Sequence, residues 1–403
     1  MGRVLSLFTG AGGLDLGLEQ VGLVPVACLD TDPLAQRVLA FNRPDWPVYA
    51  NGEVSAAASW LTPADLQLRQ GELDLIVGGP PCQPFSKAAQ WASGSRIGLG
   101  DPRAQCVHGM LDLVKVFLPR ALLIENVAGF LRGPVSALDL LQDRLQEINR
   151  RNQTVYSLAW QVVDSADYGV PQNRHRAIAI AYRDGQTAAL PPRTHVDFPV
   201  RAWDALCDLE EACKPSRSGY WADLLPSIPE GANYQYLTGP GPGEELFGWR
   251  TRYWSFLLKL AKGRPSWTLP ASPGPSTGPF HWDNRPLSIR EQMRLQSFPD
   301  YWCLVGAERD QRRLAGNATP PLLAEVLGRM IFDHLELGTY ADRADFAATP
   351  PRLARPRCHV VPAAVPPEPV PLRFKVHIEK RPAHPGVGLG PAPRAAPRQP
   401  AAQ

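Results

Sequence analysis

The 403-residue sequence has almost no excess charge of either sign: 42 Lys and Arg stand against 39 Asp and Glu, a formal +3. A chain this close to neutral does not declare itself a polyanion binder by charge alone, so any contact with nucleic acid must come from local placement. Closely spaced cysteine pairs are also missing. The seven cysteines (28, 82, 106, 207, 213, 303 and 358) form no CxxC and are odd in number, which argues against a zinc cluster and a secreted disulfide frame. No metal site is therefore expected. No apolar run approaches the ~18 residues of a membrane span. The sequence reaches Asp15 without a basic stretch leading into an apolar one, so no signal peptide is expected and the reducing cytoplasm is the expected location.

What is present is a regular alternation. Arg3–Phe8, Val24–Leu29, Leu73–Val77 and Ala121–Ile124 read as short buried strands, with Val155–Val163 and Ala177–Tyr182 as two later ones. Leu14–Val21, Pro33–Phe41 and Leu111–Phe117 read as helices between them. Strands alternating with helices imply βαβ units, an α/β fold with a mixed, mostly parallel sheet. The texture changes over 193–284, which holds 14 of the 34 aromatics and six of the 11 tryptophans among frequent Pro and Gly. That window reads as a separate, loop-rich module. Helical pattern returns at Leu287–Ser297 and Leu322–Leu335, so 1–192 and 285–346 are expected to form one catalytic domain. From Ala347 onward the chain carries 14 prolines and nine Lys/Arg against two Asp/Glu, and is expected to be a disordered tail.

Three groups of residues carry chemistry. FTGAGG follows a strand and opens a helix, so glycines such as Gly10, Gly12 and Gly13 let backbone amides approach a ligand. Asp30 falls 20 residues after Gly10 at the end of the second strand, where a carboxylate grips ribose hydroxyls. Glu53 could reach an adenine amine. With no P-loop Lys-Ser/Thr, the ligand is a dinucleotide or an adenosyl compound with an amino-acid tail. In GGPPCQPFS, three prolines hold Cys82 in a fixed, non-helical loop at a strand's carboxyl end. Glu125, in the next such strand end (ENV), supplies a carboxyl group at the same edge. A fixed thiol beside a protonatable carboxyl suits addition to an electron-poor ring. In QNRHR, Arg174 and Arg176 alternate and so share one face of a strand, able to hold a carbonyl or a phosphate.

Together these pieces resemble the DNA (cytosine-5) methyltransferase family of bacterial restriction–modification type. The resemblance rests on LFTGAGG, CLDTDPLAQ, GGPPCQPFS, ENV, QNRHR and the pair RPLSIREQMRLQSFPD and GNATPPLLAEVLG, in the family's order. It implies a Rossmann-like fold that binds S-adenosylmethionine, with Phe8, Gly10, Gly12, Gly13, Asp30, Glu53, Pro81, Asn317 and Ala318 around the cofactor. It implies that Cys82 attacks C6 of a cytosine, that Glu125 engages N3, and that Arg174 and Arg176 orient a base flipped out of double-stranded DNA. Ser86–Arg103 would be a lid, and 193–284 a target-recognition domain. Gln83, Ser86, Arg217, Arg250, Arg252, Lys259 and Thr268 are candidate DNA contacts, with Lys262 and Arg264 beside them. Many members carry an aromatic directly after the ribose acid, where this chain has Thr31.

The expected protein is a cytoplasmic bacterial or phage-encoded monomer whose functional partner is a cognate restriction endonuclease. One rival is an RNA (transfer RNA) cytosine-5 methyltransferase, against which the long tryptophan-rich insert argues. Another is an inactive methylase-like DNA-binding regulator, against which Cys82, Glu125 and both arginines argue. A zinc deaminase would need a second cysteine after PCQPF, which is absent.

Overall fold

The computed structural model describes residues 1–82, 85, 104–133, 136–210, 214–247, 254–337 and 353–378. Among these, seven strands form one sheet: β1 (Gly2–Leu7), β2 (Leu23–Leu29), β3 (Val48–Tyr49), β4 (Leu75–Gly78), β5 (Ala121–Val127), β6 (Ser157–Asp164) and β7 (His175–Tyr182). Their spatial order is β3-β2-β1-β4-β5-β7-β6. All pairings are parallel except those of β7, which runs antiparallel to both β5 and β6. The expected α/β architecture, a mixed and mostly parallel sheet, is the architecture found.

Both faces of the sheet are buried, which is why its strands read as continuous apolar runs. Leu5, Ile76, Leu122 and Ile124 pack under α4 (Gln105–Phe117) and α5 (Leu138–Asn152). The alternate residues Val4, Leu75, Val77 and Leu123 face the other layer. There α1 (Gly13–Glu19) meets α9 (Pro321–His334), bringing the C-terminal segment back onto the first βα unit. A third cluster joins α2 (Pro33–Asn42) to α7 (Ile289–Leu295) and α8 (Glu308–Asn317) through Trp46, Phe298 and Trp302. Helix α3 (Val54–Ala57) follows β3. Helices α5 and α8 have no counterpart in the sequence reading. On α5 the buried stripe is only Leu141, Leu145 and Ile148 among charged neighbours.

The window 193–284 has its own core: Leu224, Leu225, Ile228, Tyr234, Leu237, Phe247, Phe256, Leu257 and Phe280. Regular structure is scarce there, with α6 (Ala202–Leu206), short 3-10 turns and isolated bridges such as Lys259 to Phe280. The expectation of a disordered tail needs correction for 353–378. Val370 and Phe374, four residues apart, enter that same core. Phe374 lies on α10 (Leu372–Ile378) and stacks on Trp221 at 5.7 Å between centroids. Arg201 donates to the Cys358 carbonyl, Ser227 to the Pro369 carbonyl and Glu368 N to the Pro226 carbonyl. Among the described residues a disulfide joins Cys207 to Cys358 across 151 residues, a pairing that no local spacing announces. Pro/Ala/Arg composition concealed a strap held by two buried apolar side chains together with backbone contacts.

Phe374→Ala should therefore lower the stability of the aromatic-rich module by roughly 3 kcal/mol, the scale for emptying a buried phenylalanine site. Denaturant unfolding followed by tryptophan fluorescence reads this directly. An unchanged midpoint would show that the strap adds nothing to that core.

Candidate active site

The carboxyl ends of β1, β2, β4 and β5 and the α8–α9 junction surround a cavity of about 270 Å³. The turn into α1 shapes one wall. Gly12, at φ 75°, takes the left-handed conformation that glycine adopts without penalty. Gly13 lies so close to the Thr319 carbonyl oxygen that a Cβ there would sit 2.1 Å from it. The loop and the C-terminal segment thus share one wall. Asp30, at the end of β2, accepts from Gly10 N at 2.7 Å and from Asp32 N at 2.8 Å. Burial pushes its carboxyl up from the ordinary range, while those two amides and Arg313 pull it back.

Cys82 is held by its neighbours rather than by its own bonds. Asn126 Nδ2 donates to the Pro80 carbonyl at 2.9 Å, tying the Cys82 loop to the end of β5. Phe85 N donates to the Cys82 carbonyl at 3.0 Å, and the Phe85 ring lies edge-on to Phe130 at 4.9 Å in the core. Glu125, 6% exposed on β5, faces the same cavity. No side chain intervenes at Gly79, where a Cβ would be 3.3 Å from Glu125 Oε2. Arg176, on β7, brings Nε to 2.9 Å from Glu125 Oε1. The antiparallel register makes this possible, because Val127 pairs with Arg176 and Glu125 lies one face-repeat away. Burial pushes the Cys82 thiol up; Arg176 and Arg174 oppose that, and Glu125 adds to it. The resting sulfur is therefore a thiol, and losing its proton requires a partner to take it.

Arg174, expected to help orient the base, is held by backbone carbonyls at the cavity wall. It is 1% exposed and donates to the Gly316 and Asn317 carbonyls at 3.1 and 3.2 Å. Burial and the neighbouring Arg176 lower it to about 9. It fixes the loop that carries Asn317, whose own side chain stays exposed at the cavity wall. The preceding residues are stitched to the segment after the aromatic module. Asn173 N donates to the Ser266 carbonyl at 2.8 Å, and Thr268 Oγ1 donates to the Asn173 carbonyl at 2.7 Å.

Of the residues singled out in the sequence, the cavity brings together Phe8, Gly10, Gly13, Asp30, Pro81, Cys82, Glu125, Arg174, Arg176, Asn317 and Ala318. Gly12 and Glu53 are not among its walls. Gly12 faces Leu39 and Trp302, and Glu53 caps α3 by accepting from Ser55 N at 3.1 Å. Lys259 is a correction: it is 5% exposed and donates to the Ile228 carbonyl, and burial drops it to about 8. Lys262 is likewise buried, against Glu230. Both lysines are thus buried rather than exposed. Arg217 is half-exposed near Asp223 at 3.9 Å, and Arg264 is exposed. Gln83, Ser86, Arg250, Arg252 and the expected lid 86–103 lie outside the described residues. Sequence reasoning missed Arg313 and Thr9, both on the cavity wall; Thr9 Oγ1 is buried without a partner in the structure. Among the described residues no cluster of His, Cys, Asp and Glu could hold a metal, and no helix is long and apolar enough to cross a membrane.

Residues 2–333 match the family described as C-5 cytosine-specific DNA methylase. A similar relative is the type II methyltransferase M.SacI of Streptomyces achromogenes, 32% identical over 371 residues, covering 82% of this chain and 93% of the relative. Another is the type II methyltransferase M.NgoMIV of Neisseria gonorrhoeae, 30% identical over 355 residues, covering 82% and 97%. Among solved structures, a protein encoded within an Escherichia coli prophage aligns with TM-score 0.61 at 20% identity, over 83% of this chain and 100% of that one. The Entamoeba histolytica methyltransferase EhMeth aligns with TM-score 0.56 at 17% identity, over 83% and 99%.

Asp15, fully buried on α1 behind the glycine turn, has its carboxyl raised to about 6 by burial. Its folded pKa lies above the unfolded value, so the folded state holds the extra proton and stability falls as pH rises from about 4 to about 6. Asp15→Asn should remove that slope, worth up to ~3 kcal/mol between the two limits. Denaturation midpoints of both proteins at pH 5 and pH 8 check it; parallel pH profiles would contradict it.

Proposed function

The chain belongs to the family of C-5 cytosine-specific DNA methylases, and from that premise we propose that it methylates C5 of a cytosine within one double-stranded DNA sequence through a transient Cys82–C6 bond. The observation that carries this reading is the cavity with two chemically distinct sets of walls. One group of its lining residues is Cys82, Glu125 and Arg176, and another is Asp30 with the glycine turn.

The residues fit the cofactor that the family implies. Asp30 suits ribose hydroxyls, the partnerless Thr9 hydroxyl and the exposed Asn317 side chain suit a polar ligand, and Phe8, Gly10, Pro81 and Ala318 complete the walls. S-Adenosylmethionine, when bound, supplies an electrophilic methyl group. The rest of the chemistry falls to the chain. Cys82 loses its proton to solvent, and the thiolate adds to C6 of the extruded cytosine, moving the ring electrons toward N3. Glu125 relays a proton from solvent to N3 and so neutralises that charge, and Arg176 fixes the carboxyl by its 2.9 Å contact. C5 becomes the nucleophile that accepts the methyl group. Loss of the C5 proton then restores the ring double bond as the carbon–sulfur bond breaks and the thiolate leaves.

In this reading 193–284, with the strap 353–378, forms the target-recognition module. Half-exposed Trp254 and exposed Arg264 are then nearer to DNA than the buried lysines. The wall shared by Asn173 and Thr268 would couple that module to the reacting base. The biological role that fits is protection of host DNA in a type II restriction–modification pair, in the cytoplasm.

Bisulfite sequencing of DNA from cells expressing the protein should reveal methylcytosine confined to one recurrent sequence. Its absence at every site would overturn the reading. Cys82→Ser should abolish methylation while leaving S-adenosylhomocysteine binding intact. Glu125→Gln should slow the methyl-transfer step by at least ~10²-fold in single-turnover assays, the usual scale for a positioned acid. Retained turnover in the first variant, or an effect of the second on DNA affinity alone, would reassign the residues.

A further inference from the structure

Arg313 has no place in the chemistry above, yet it forms part of the cavity wall. It lies on α8, and its Nη2 donates to Asp32 Oδ2 at 2.7 Å. The other oxygen of Asp32 caps α2 by accepting from Leu34 N at 2.9 Å. A second acid, Asp310, stands 3.9 Å from Arg313 Nε. The guanidinium is thus held across the gap between α2 and α8, beside Asp30.

The described walls at this end of the cavity are Thr31, Asp32, Ala35, Leu314 and Arg313. The aromatic ring of Phe8 lies toward the end of β4, where a Cβ on Gly78 would meet it at 3.2 Å. A ligand whose ribose is gripped by Asp30 must set its base in this region, and a purine is a flat face that needs a flat partner to exclude water. Arg313 supplies the only planar cation at this end among the described walls. Guanidinium planes stack on aromatic faces, which an ammonium point charge does not do as well.

We propose that Arg313 is a cofactor-contacting residue, its guanidinium covering the adenine of S-adenosylmethionine in the place where the chain offers only Thr31 after the ribose acid. Asp32 is the positioning residue that orients it. The charge of Arg313 also acts on Asp30, helping that carboxyl stay ionised for the ribose despite its burial. The proposal rests on the cofactor reading given above, and the test separates the two.

The probe is S-adenosylhomocysteine, titrated into the full chain by isothermal calorimetry without DNA. Arg313→Ala should weaken binding by roughly 3- to 30-fold, the range for a cation over an aromatic face. Arg313→Lys, which keeps the charge and the reach to Asp32, should weaken it by a similar factor. Arg313→Tyr, which restores a plane, should stay within about threefold of the unaltered chain. Asp32→Asn keeps the α2 cap and should weaken binding less than Arg313→Ala. Unchanged affinity in Arg313→Ala overturns the proposal, and so does full affinity in Arg313→Lys, because charge alone would then suffice. If Arg313→Ala fails to fold, judged by its melting temperature without ligand, the lysine variant decides. If the unaltered chain binds no S-adenosylhomocysteine, the cofactor reading itself fails. If it binds and only Asp30→Ala abolishes binding, the cofactor reading stands and Arg313 does not contribute.

Discussion

A desolvated carboxyl–guanidinium pair, Glu125 with Arg176, is the constraint around which this molecule is arranged. Both side chains are largely removed from solvent and they approach to 2.9 Å. Such a pair is held only where each partner is fixed from behind, because stranding either charge costs about 3–5 kcal/mol. The antiparallel strand β7 provides the backing: without its reversal beside β5, Arg176 would not stand over the Glu125 side of the sheet. The pair in turn sets the electrostatics of Cys82, whose thiol is raised by burial and by Glu125 and lowered by the two arginines. A sulfur so balanced rests protonated and reacts when a base enters the cavity.

The reading of the sequence and the structure agree best where backbone geometry leaves little choice. TGAGG after an apolar strand, and PPC between a strand end and Phe85, encode turns that few other residues could make. Their side chains therefore arrive at the cavity together. The existence of β4 and β5 was legible for the same reason, since buried parallel strands are short apolar runs, although β5 runs past the expected Ile124 to Val127 and takes Glu125 into the strand. The strand-to-strand register was not legible, and with it went the distinct roles of Arg174 and Arg176. Alternation puts the two on one face, but only the tertiary fold directs Arg174 to the Gly316 and Asn317 carbonyls and Arg176 to Glu125.

The aromatic-rich module shows where composition misleads. Lys259 and Lys262 looked like exposed cations, yet each is buried against acceptors of its own module, Ile228 O and Glu230. No periodicity marks them, because the segment has almost no regular structure to impose one. The strap at 353–378 failed in the opposite sense. Proline-rich chain gives little helical or strand pattern, but such a segment, ending in the short helix α10, can still be pinned by Val370, Phe374 and a few carbonyl contacts. Both errors come from reading side chains without the neighbours that fold brings to them.

The account turns on a covalent bond between one sulfur and one ring carbon. DNA of mixed sequence carrying 5-fluorocytosine, whose fluorine cannot leave C5 as a proton does, should trap that bond when incubated with the protein and S-adenosylmethionine. Mass spectrometry of the digested complex should then find the methylated fluorocytosine attached to the peptide containing Cys82. An adduct on a different residue, or active methylation of ordinary DNA with no trapped species, would contradict the central claim.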